Sequence, residues 1–111
     1  GLGLAPGVNM SDSLAFFEAT HGTAPTIAGQ DKANPGSVIL CGALLMEHLG
    51  LPKAAERIRS AVGKAIAAKA VTVDLAAQVS GARVVGCRGR GTFVKVPLPR
   101  SPTRQNFYSL A

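Results

Sequence analysis

The chain has 111 residues and a net charge of +6, from 12 lysine and arginine residues against six acidic ones. This length fits at most one domain, and a hydrophobic content of 47% excludes a disordered tail. No apolar run reaches the roughly 20 residues that a membrane span needs, so the composition predicts a soluble protein without a membrane partner.

The positive charge is distributed unevenly along the chain. Residues 1–86 hold seven basic and six acidic side chains, whereas residues 87–111 hold five basic side chains and no acidic one. The excess charge therefore belongs to the C-terminal segment. The chain starts in an apolar, Gly-rich run without an initiator Met or the basic start of a signal peptide, which predicts a fragment whose first part is missing.

The first third of the chain predicts two short strands and a long loop. Gly1–Gly7 indicates a buried strand that ends in a turn at Pro6-Gly7, and Leu14–Glu18 indicates a second strand. Residues 19–34 contain Gly, Pro and Asn without apolar periodicity. Loops of this length are uncommon in compact domains and usually have a function.

Two helices are predicted next. Asn34 and Pro35 suit the N-cap and the first position of a helix that runs to about Leu49, and this helix is apolar on most sides, so we expect it to be buried. A second, amphipathic helix is predicted over 53–69. Beyond it we expect an extended piece at 71–73, a short helix at 75–79, a strand at 83–86 and, after residue 87, a single strand at 92–96.

The two cysteines lie far apart in the sequence. Neither Cys41 nor Cys87 belongs to a CxxC pair or has a histidine at metal-ligand spacing. Isolated cysteines of this kind are usually buried and reduced, which favours a cytoplasmic location.

The long loop carries polar groups that suit a nucleotide. In FFEATHGTAPTIAGQDKANPGS, residues 16–37, Gly22 lets a flat group approach the backbone and His21 offers a ring for stacking or hydrogen bonding. The amide of Asn34 can pair with purine ring nitrogens, and the free N–H groups of the loop suit phosphate oxygens. An adenine nucleotide is therefore one interpretation, and an ordered surface loop with a helix cap is the other.

The run FEATHGTAPTIAGQDKANPGS closely resembles the adenine-side cofactor loop of the decarboxylating β-hydroxyacid dehydrogenases, the family of isocitrate and isopropylmalate dehydrogenases. The resemblance extends over about residues 1–87. It implies the α/β C-terminal part of the large domain of this fold, incomplete at its N-terminus, and not a Rossmann fold, since GxGxxG is absent. Residues 88–111 depart from the family pattern as a basic, Pro- and Arg-rich tail. A frameshift or mis-splicing would explain the departure, and a basic arm for RNA or membrane phosphates is the alternative.

The His-Gly-Thr form of the loop is closer to the isocitrate branch than to the isopropylmalate branch. The resemblance implies a cytoplasmic, homodimeric oxidoreductase of the tricarboxylic acid cycle that converts isocitrate to 2-oxoglutarate with a nicotinamide cofactor and Mg²⁺ or Mn²⁺. Isopropylmalate, homoisocitrate and tartrate dehydrogenases are the alternatives within the class. A non-catalytic regulatory subunit and a nucleic-acid-binding protein are the alternatives from other classes, and we expect no nucleic acid partner.

The resemblance assigns cofactor binding to eight residues of the loop: His21, Gly22, Thr23, Ala24, Pro25, Thr26, Ile27 and Asn34. Glu18 resembles a family carboxylate near the nicotinamide end, which is a weaker correspondence. The family's catalytic and metal-binding residues lie upstream of Gly1, so no catalytic or metal-binding residue is predicted in this chain.

Four positions bear on the choice between NAD and NADP. The 2′-phosphate of NADP calls for cations or phenol donors. Where NADP-dependent relatives carry Lys, Tyr, Tyr and Arg, this chain has uncharged residues that cannot neutralise a phosphate: Thr26, Ile27, Val73 and Ala77. The comparison predicts NAD, with NADP as the alternative and Lys32 as the nearest cation.

Overall fold

Helices and short strands alternate in a computed structural model of the chain, which describes residues 4–94 except for the side chains of 91–93. The strands are β1 (Pro6–Met10), β2 (Ala15–Ala19), β3 (Ala70–Val71) and β4 (Arg83–Val84), and the helices are α1 (Gly36–His48), α2 (Pro52–Ala67), α3 (Val73–Ala76) and α4 (Cys87–Phe93). A single 3-10 turn, Pro25–Ile27, interrupts the long loop. The predicted α/β class is confirmed.

Strands β1 and β2 form an antiparallel hairpin in which Pro6 pairs with Ala19 and Met10 with Ala15. The Ser11 N–H donates to the carbonyl oxygen of Leu14 at 2.8 Å, which closes the turn. The turn predicted at Pro6-Gly7 is therefore wrong. Proline is tolerated as the first residue of a strand, and the serine-rich segment after β1 supplies the turn.

Helix α1 confirms the predicted helix, but it starts at Gly36 with Pro35 as the N-cap, one residue later than predicted. The side-chain oxygen of Asn34 accepts the Gly36 N–H at 2.9 Å and so satisfies one donor of the first turn. The helix ends before Gly50, whose φ of 74° is the left-handed conformation that terminates helices. Burial on most sides is wrong, because Val38 is 60% exposed and Leu49 57%. An apolar pattern shows that a face can pack, and it does not show what packs against it.

Helices α1 and α2 pack through small side chains. The buried residues at this contact and its edges are Cys41, Ala43, Ala55, Ala61, Val62 and Ala65. An ion pair joins the two helices at the surface, where Arg59 donates to Glu47 at 2.6 Å. Because both side chains are well exposed, the pair adds little stability. The predicted second helix is confirmed within two residues at each end.

Strands β3 and β4 form a short parallel pair in which Ala70 faces Arg83 and Val71 faces Val84. Both residues of β3 are fully buried, so this strand is part of the core. Helix α3 begins two residues after β3. Its first turn is therefore held close to the long loop.

Helix α4 contradicts the expectation that no regular element forms after residue 87 apart from a strand at 92–96. The glycines at 89 and 91 lower helix propensity, but contacts from the long loop cap the helix start, as shown below. Thr92 and Phe93 belong to α4. The rest of the predicted strand and of the basic tail lies outside the described residues.

Ser37 ties the start of the chain to α1. This side chain is fully buried, and its hydroxyl oxygen accepts the Ala5 N–H at 3.0 Å. We expect Ser37→Ala to lower the free energy of unfolding by about 1–2 kcal/mol, because the Ala5 N–H loses its partner. Chemical denaturation measures the change. The matched control is Ser60→Ala on the exposed side of α2, and equal losses in both variants would contradict the assigned role of Ser37.

Candidate functional site

The long loop and the start of α3 enclose a groove of about 420 Å³, which we call the loop groove. Its lining residues are His21, Gly22, Thr23, Ala24, Ile27, Lys32, Ala33, Asn34, Val73 and Asp74. The structure thus brings six of the eight predicted cofactor-binding residues together. Pro25 and Thr26 lie in the exposed 3-10 turn beside the groove. Asp74 was missed, because its place opposite Asn34 depends on the chain path and not on a local pattern.

Hydrogen bonds hold the loop in one shape. Ala24 adopts a left-handed conformation with φ of 45°, which starts the 3-10 turn. The Gln30 side chain donates to the carbonyl oxygen of Thr26 at 2.8 Å, across that turn. At the entry to the loop the Thr20 hydroxyl donates to the carbonyl oxygen of Ala5 at 3.0 Å. The loop is therefore an ordered platform fixed to the hairpin.

Asp31 fixes the far end of the loop to α4. Its carbonyl oxygen accepts the Cys87 N–H, and its carboxylate accepts the Arg88 N–H, both at 2.9 Å. A carboxylate at a helix start satisfies an unpaired N–H and favours the helix dipole. A Cβ atom built on Gly86 would lie 2.7 Å from the carbonyl oxygen of Asp31. Only glycine leaves room for this junction.

Asn34 presents a hydrogen-bond donor to the loop groove. Its side-chain oxygen is engaged by Gly36, and its Nδ2 donates to the Asp74 carboxylate at 2.9 Å. Because an amide nitrogen carries two hydrogens, one N–H remains for a ligand. The contact with Asp74 also determines which way the amide points.

His21 presents an acceptor. Its Nδ1 lies 2.9 Å from the carbonyl oxygen of Gly22. A carbonyl oxygen only accepts, so Nδ1 carries the hydrogen and Nε2 of the neutral ring is left as an acceptor. The edge of adenine carries an amino donor and ring-nitrogen acceptors. The loop groove therefore offers both kinds of partner that adenine needs.

The Asp74 carboxyl is kept ionised by its neighbours. Partial burial favours the protonated form, but the nearby Thr72 hydroxyl, the hydrogen bond from Asn34 and the positive charge of Arg90 outweigh it and lower the pKa of Asp74. Arg90 is fully buried and donates to the carbonyl oxygen of Ala70 at 3.2 Å. An ionised Asp74 is the form that holds the Asn34 amide.

The lowered pKa makes the contact between Asn34 and Asp74 dependent on pH. Its contribution to stability is fully present above the ordinary Asp pKa of 3.8 and is lost as the pH falls through the lowered pKa of the folded chain. We expect Asp74→Asn to reduce the loss of stability at acid pH, because the variant cannot be protonated at this position. Denaturation midpoints measured from neutral to acid pH give the size of the reduction. Asp12→Asn in the exposed hairpin turn is the matched control, and the same loss of acid dependence in both variants would contradict the assignment.

Two further properties concern residues 4–94. No group of three or more His, Cys, Asp or Glu side chains in this range is arranged to hold a metal ion, so the described residues do not fit the divalent metal that the resemblance implies. No helix in the same range is long and apolar enough to cross a membrane.

The chain is similar to known dehydrogenases over most of its length. A family model described as isocitrate/isopropylmalate dehydrogenase matches residues 1–92. Isocitrate dehydrogenase [NADP] of Pseudomonas aeruginosa is 53% identical over 87 residues, 78% of this chain and 21% of that protein. The same enzyme of Synechocystis sp. is 57% identical over 76 residues, 68% of this chain and 16% of that protein. The chain thus spans about a fifth of the length of its curated relatives.

A solved structure agrees with these relatives. The crystal structure of isocitrate dehydrogenase from Methylococcus capsulatus superposes with a TM-score of 0.74 at 41% identity. The match covers 85% of this chain and 27% of that one. At this identity the likeness extends to sequence as well as fold.

The names of the relatives overturn the prediction that NAD is preferred. The proteins from Pseudomonas aeruginosa, Helicobacter pylori and Synechocystis sp. are all named for NADP. The prediction rested on the absence of charged residues at positions 26, 27, 73 and 77. Lys32, which the sequence analysis named as the nearest cation, lines the same groove as Ile27 and Val73.

Proposed function

Because the chain belongs to the isocitrate/isopropylmalate dehydrogenase family, we propose that it forms the adenosine-binding part of an NADP-dependent isocitrate dehydrogenase. The loop groove carries the proposal. There the loop that resembles the family's cofactor loop is folded around an Asn34 amide held in one orientation by Asp74. Relatives named isocitrate dehydrogenase [NADP] support the substrate and the cofactor.

Different residues of the groove contact different parts of adenosine. The free N–H of Asn34 donates to a ring nitrogen of adenine, and Nε2 of His21 accepts from its amino group or from a ribose hydroxyl. A side chain at Gly22 would meet no atom within 4 Å, so the backbone there is open to a flat ring. The groove fixes one end of the cofactor and so positions the other end for reaction.

The reaction itself belongs to the rest of the proposed enzyme. A cofactor held at its adenosine end by the loop groove would supply the hydride acceptor for the oxidation of isocitrate to 2-oxoglutarate and carbon dioxide, and the hydroxyl proton would leave to a base outside this chain. We propose that substrate contacts and the site of Mg²⁺ or Mn²⁺ come from the part that this chain does not match, about four fifths of the relatives' length. A cytoplasmic homodimer is the assembly that the family resemblance favours.

A chimeric enzyme tests the proposal. The matching segment of the Pseudomonas aeruginosa relative is replaced by residues 1–87 of this chain, and isocitrate-dependent reduction of NADP is followed spectroscopically. We expect kcat to be retained within about tenfold, since the substrate contacts are those of the parent. A folded dimeric chimera that binds isocitrate but reduces neither NADP nor NAD would contradict the proposal.

A further inference from the structure

We propose that Lys32 contacts the 2′-phosphate of NADP and determines the preference of this chain for the phosphorylated cofactor. The inference rests on the proposed function, because it assumes that adenosine occupies the loop groove. It assigns the phosphate contact to a residue outside the four positions 26, 27, 73 and 77 on which the comparison with relatives had relied.

Lys32 lies on the wall of the loop groove, close in sequence to Asn34. It is two residues before Asn34 and lines both the loop groove and a second cavity of about 270 Å³. Among the residues that line the loop groove, Lys32 is the only lysine or arginine. The 2′-phosphate is attached to the ribose next to adenine, so with adenine at Asn34 it lies within reach of a lysine at this distance along the loop.

Hydrogen bonds through Gln30 hold the Lys32 side chain to the 3-10 turn. Its Nζ donates to Oε1 of Gln30 at 2.8 Å, and Nε2 of Gln30 donates to the carbonyl oxygen of Thr26 at 2.8 Å. The ammonium group is therefore anchored to the 3-10 turn through a neutral amide. An ammonium group has three N–H donors, so two remain for phosphate oxygens. No salt bridge within the described residues involves Lys32, so a carboxylate does not neutralise its charge.

The other candidate cations are less suitably placed. Arg90 is fully buried and does not line the groove. Arg88 lines the second cavity and not the loop groove. A phosphate bears about two negative charges at neutral pH, and a charge-assisted hydrogen bond is the strong kind of contact for such a group. Lys32 is the residue of the loop groove that provides it.

A binding comparison tests the inference on the full 111-residue chain. The affinities for adenosine 2′,5′-bisphosphate and for 5′-AMP are measured by calorimetry, because these two probes differ only in the 2′-phosphate. We expect the bisphosphate to bind about tenfold more tightly. Lys32→Gln removes this difference and leaves the affinity for 5′-AMP unchanged, and Lys32→Arg restores most of it. Lys64→Gln on the exposed face of α2 is the control for the loss of one positive charge.

The contrary results distinguish failure of the proposed function from failure of the role assigned to Lys32. If 5′-AMP fails to bind, the proposed function is overturned together with the inference. If 5′-AMP binds and the bisphosphate binds no more tightly, the inference alone fails. It also fails if Lys32→Gln keeps the difference, or if Lys64→Gln reduces the difference as much as Lys32→Gln does.

Discussion

Replacing Gly86 with alanine lowers the free energy of unfolding by roughly 2–4 kcal/mol and weakens binding in the loop groove. The added Cβ would clash with the Asp31 carboxylate and lie 2.7 Å from the Asp31 carbonyl oxygen. The carboxylate can rotate away, but the backbone oxygen cannot. The loop and α4 must then separate, and the hydrogen bonds from Cys87 and Arg88 to Asp31 are lost. Chemical denaturation and 5′-AMP titration measure the two effects.

Gly63→Ala is the matched control for this variant. Gly63 lies in the middle of α2, and a Cβ there meets no atom within 4 Å. Alanine is favoured over glycine inside a helix by about 0.5–1 kcal/mol, so this variant becomes more stable. If Gly86→Ala unfolds at the same denaturant concentration as the wild type, the junction between Asp31 and α4 has room for a Cβ atom. This result would contradict the prediction.

Replacing Asn34 with alanine reduces the affinity for 5′-AMP by at least tenfold and costs roughly 1–2 kcal/mol of stability. The variant removes the acceptor of the Gly36 N–H at the start of α1, the partner of the Asp74 carboxylate and the donor offered to adenine. Calorimetric titration gives the affinity, and thermal denaturation gives the stability at the same pH.

Asn9→Ala is the same chemical change at an exposed strand position. The Asn9 amide makes a long contact of 3.4 Å with Glu18 and lies outside the loop groove. We expect its affinity for 5′-AMP to be that of the wild type. An equal loss of affinity in both variants would mean that Asn34 acts through general destabilisation and not as a ligand contact.

The sequence was most informative where function depends on a continuous segment. The order of residues from His21 to Asn34 identified the loop, its family and the start of α1 to within one residue, because these features are local. Contacts between distant segments were not predictable in the same way. Asp74 meets Asn34 across 40 residues, and the junction of Asp31 with Gly86 depends on how β4 leads into α4. No local pattern marks either partner.

Two errors of the sequence analysis have physical causes. Helix α4 forms in spite of Gly89, because a carboxylate from the loop caps its first turn. The preference for NAD was inferred from uncharged residues at four positions, although a phosphate needs only a cation at the right distance, whichever residue supplies it. The sequence named Lys32 as the nearest cation, and the structure adds that this residue lines the loop groove.

Binding of the adenosine part of the cofactor in the loop groove is tested most directly by NMR. The isotope-labelled chain is titrated with 5′-AMP, and the backbone amide signals are followed. We expect saturable shifts confined to the residues that line the groove: His21, Gly22, Thr23, Ala24, Ile27, Lys32, Ala33, Asn34, Val73 and Asp74. Shifts that fail to saturate, or that cluster on the β1–β2 hairpin or on α2, would contradict the claim.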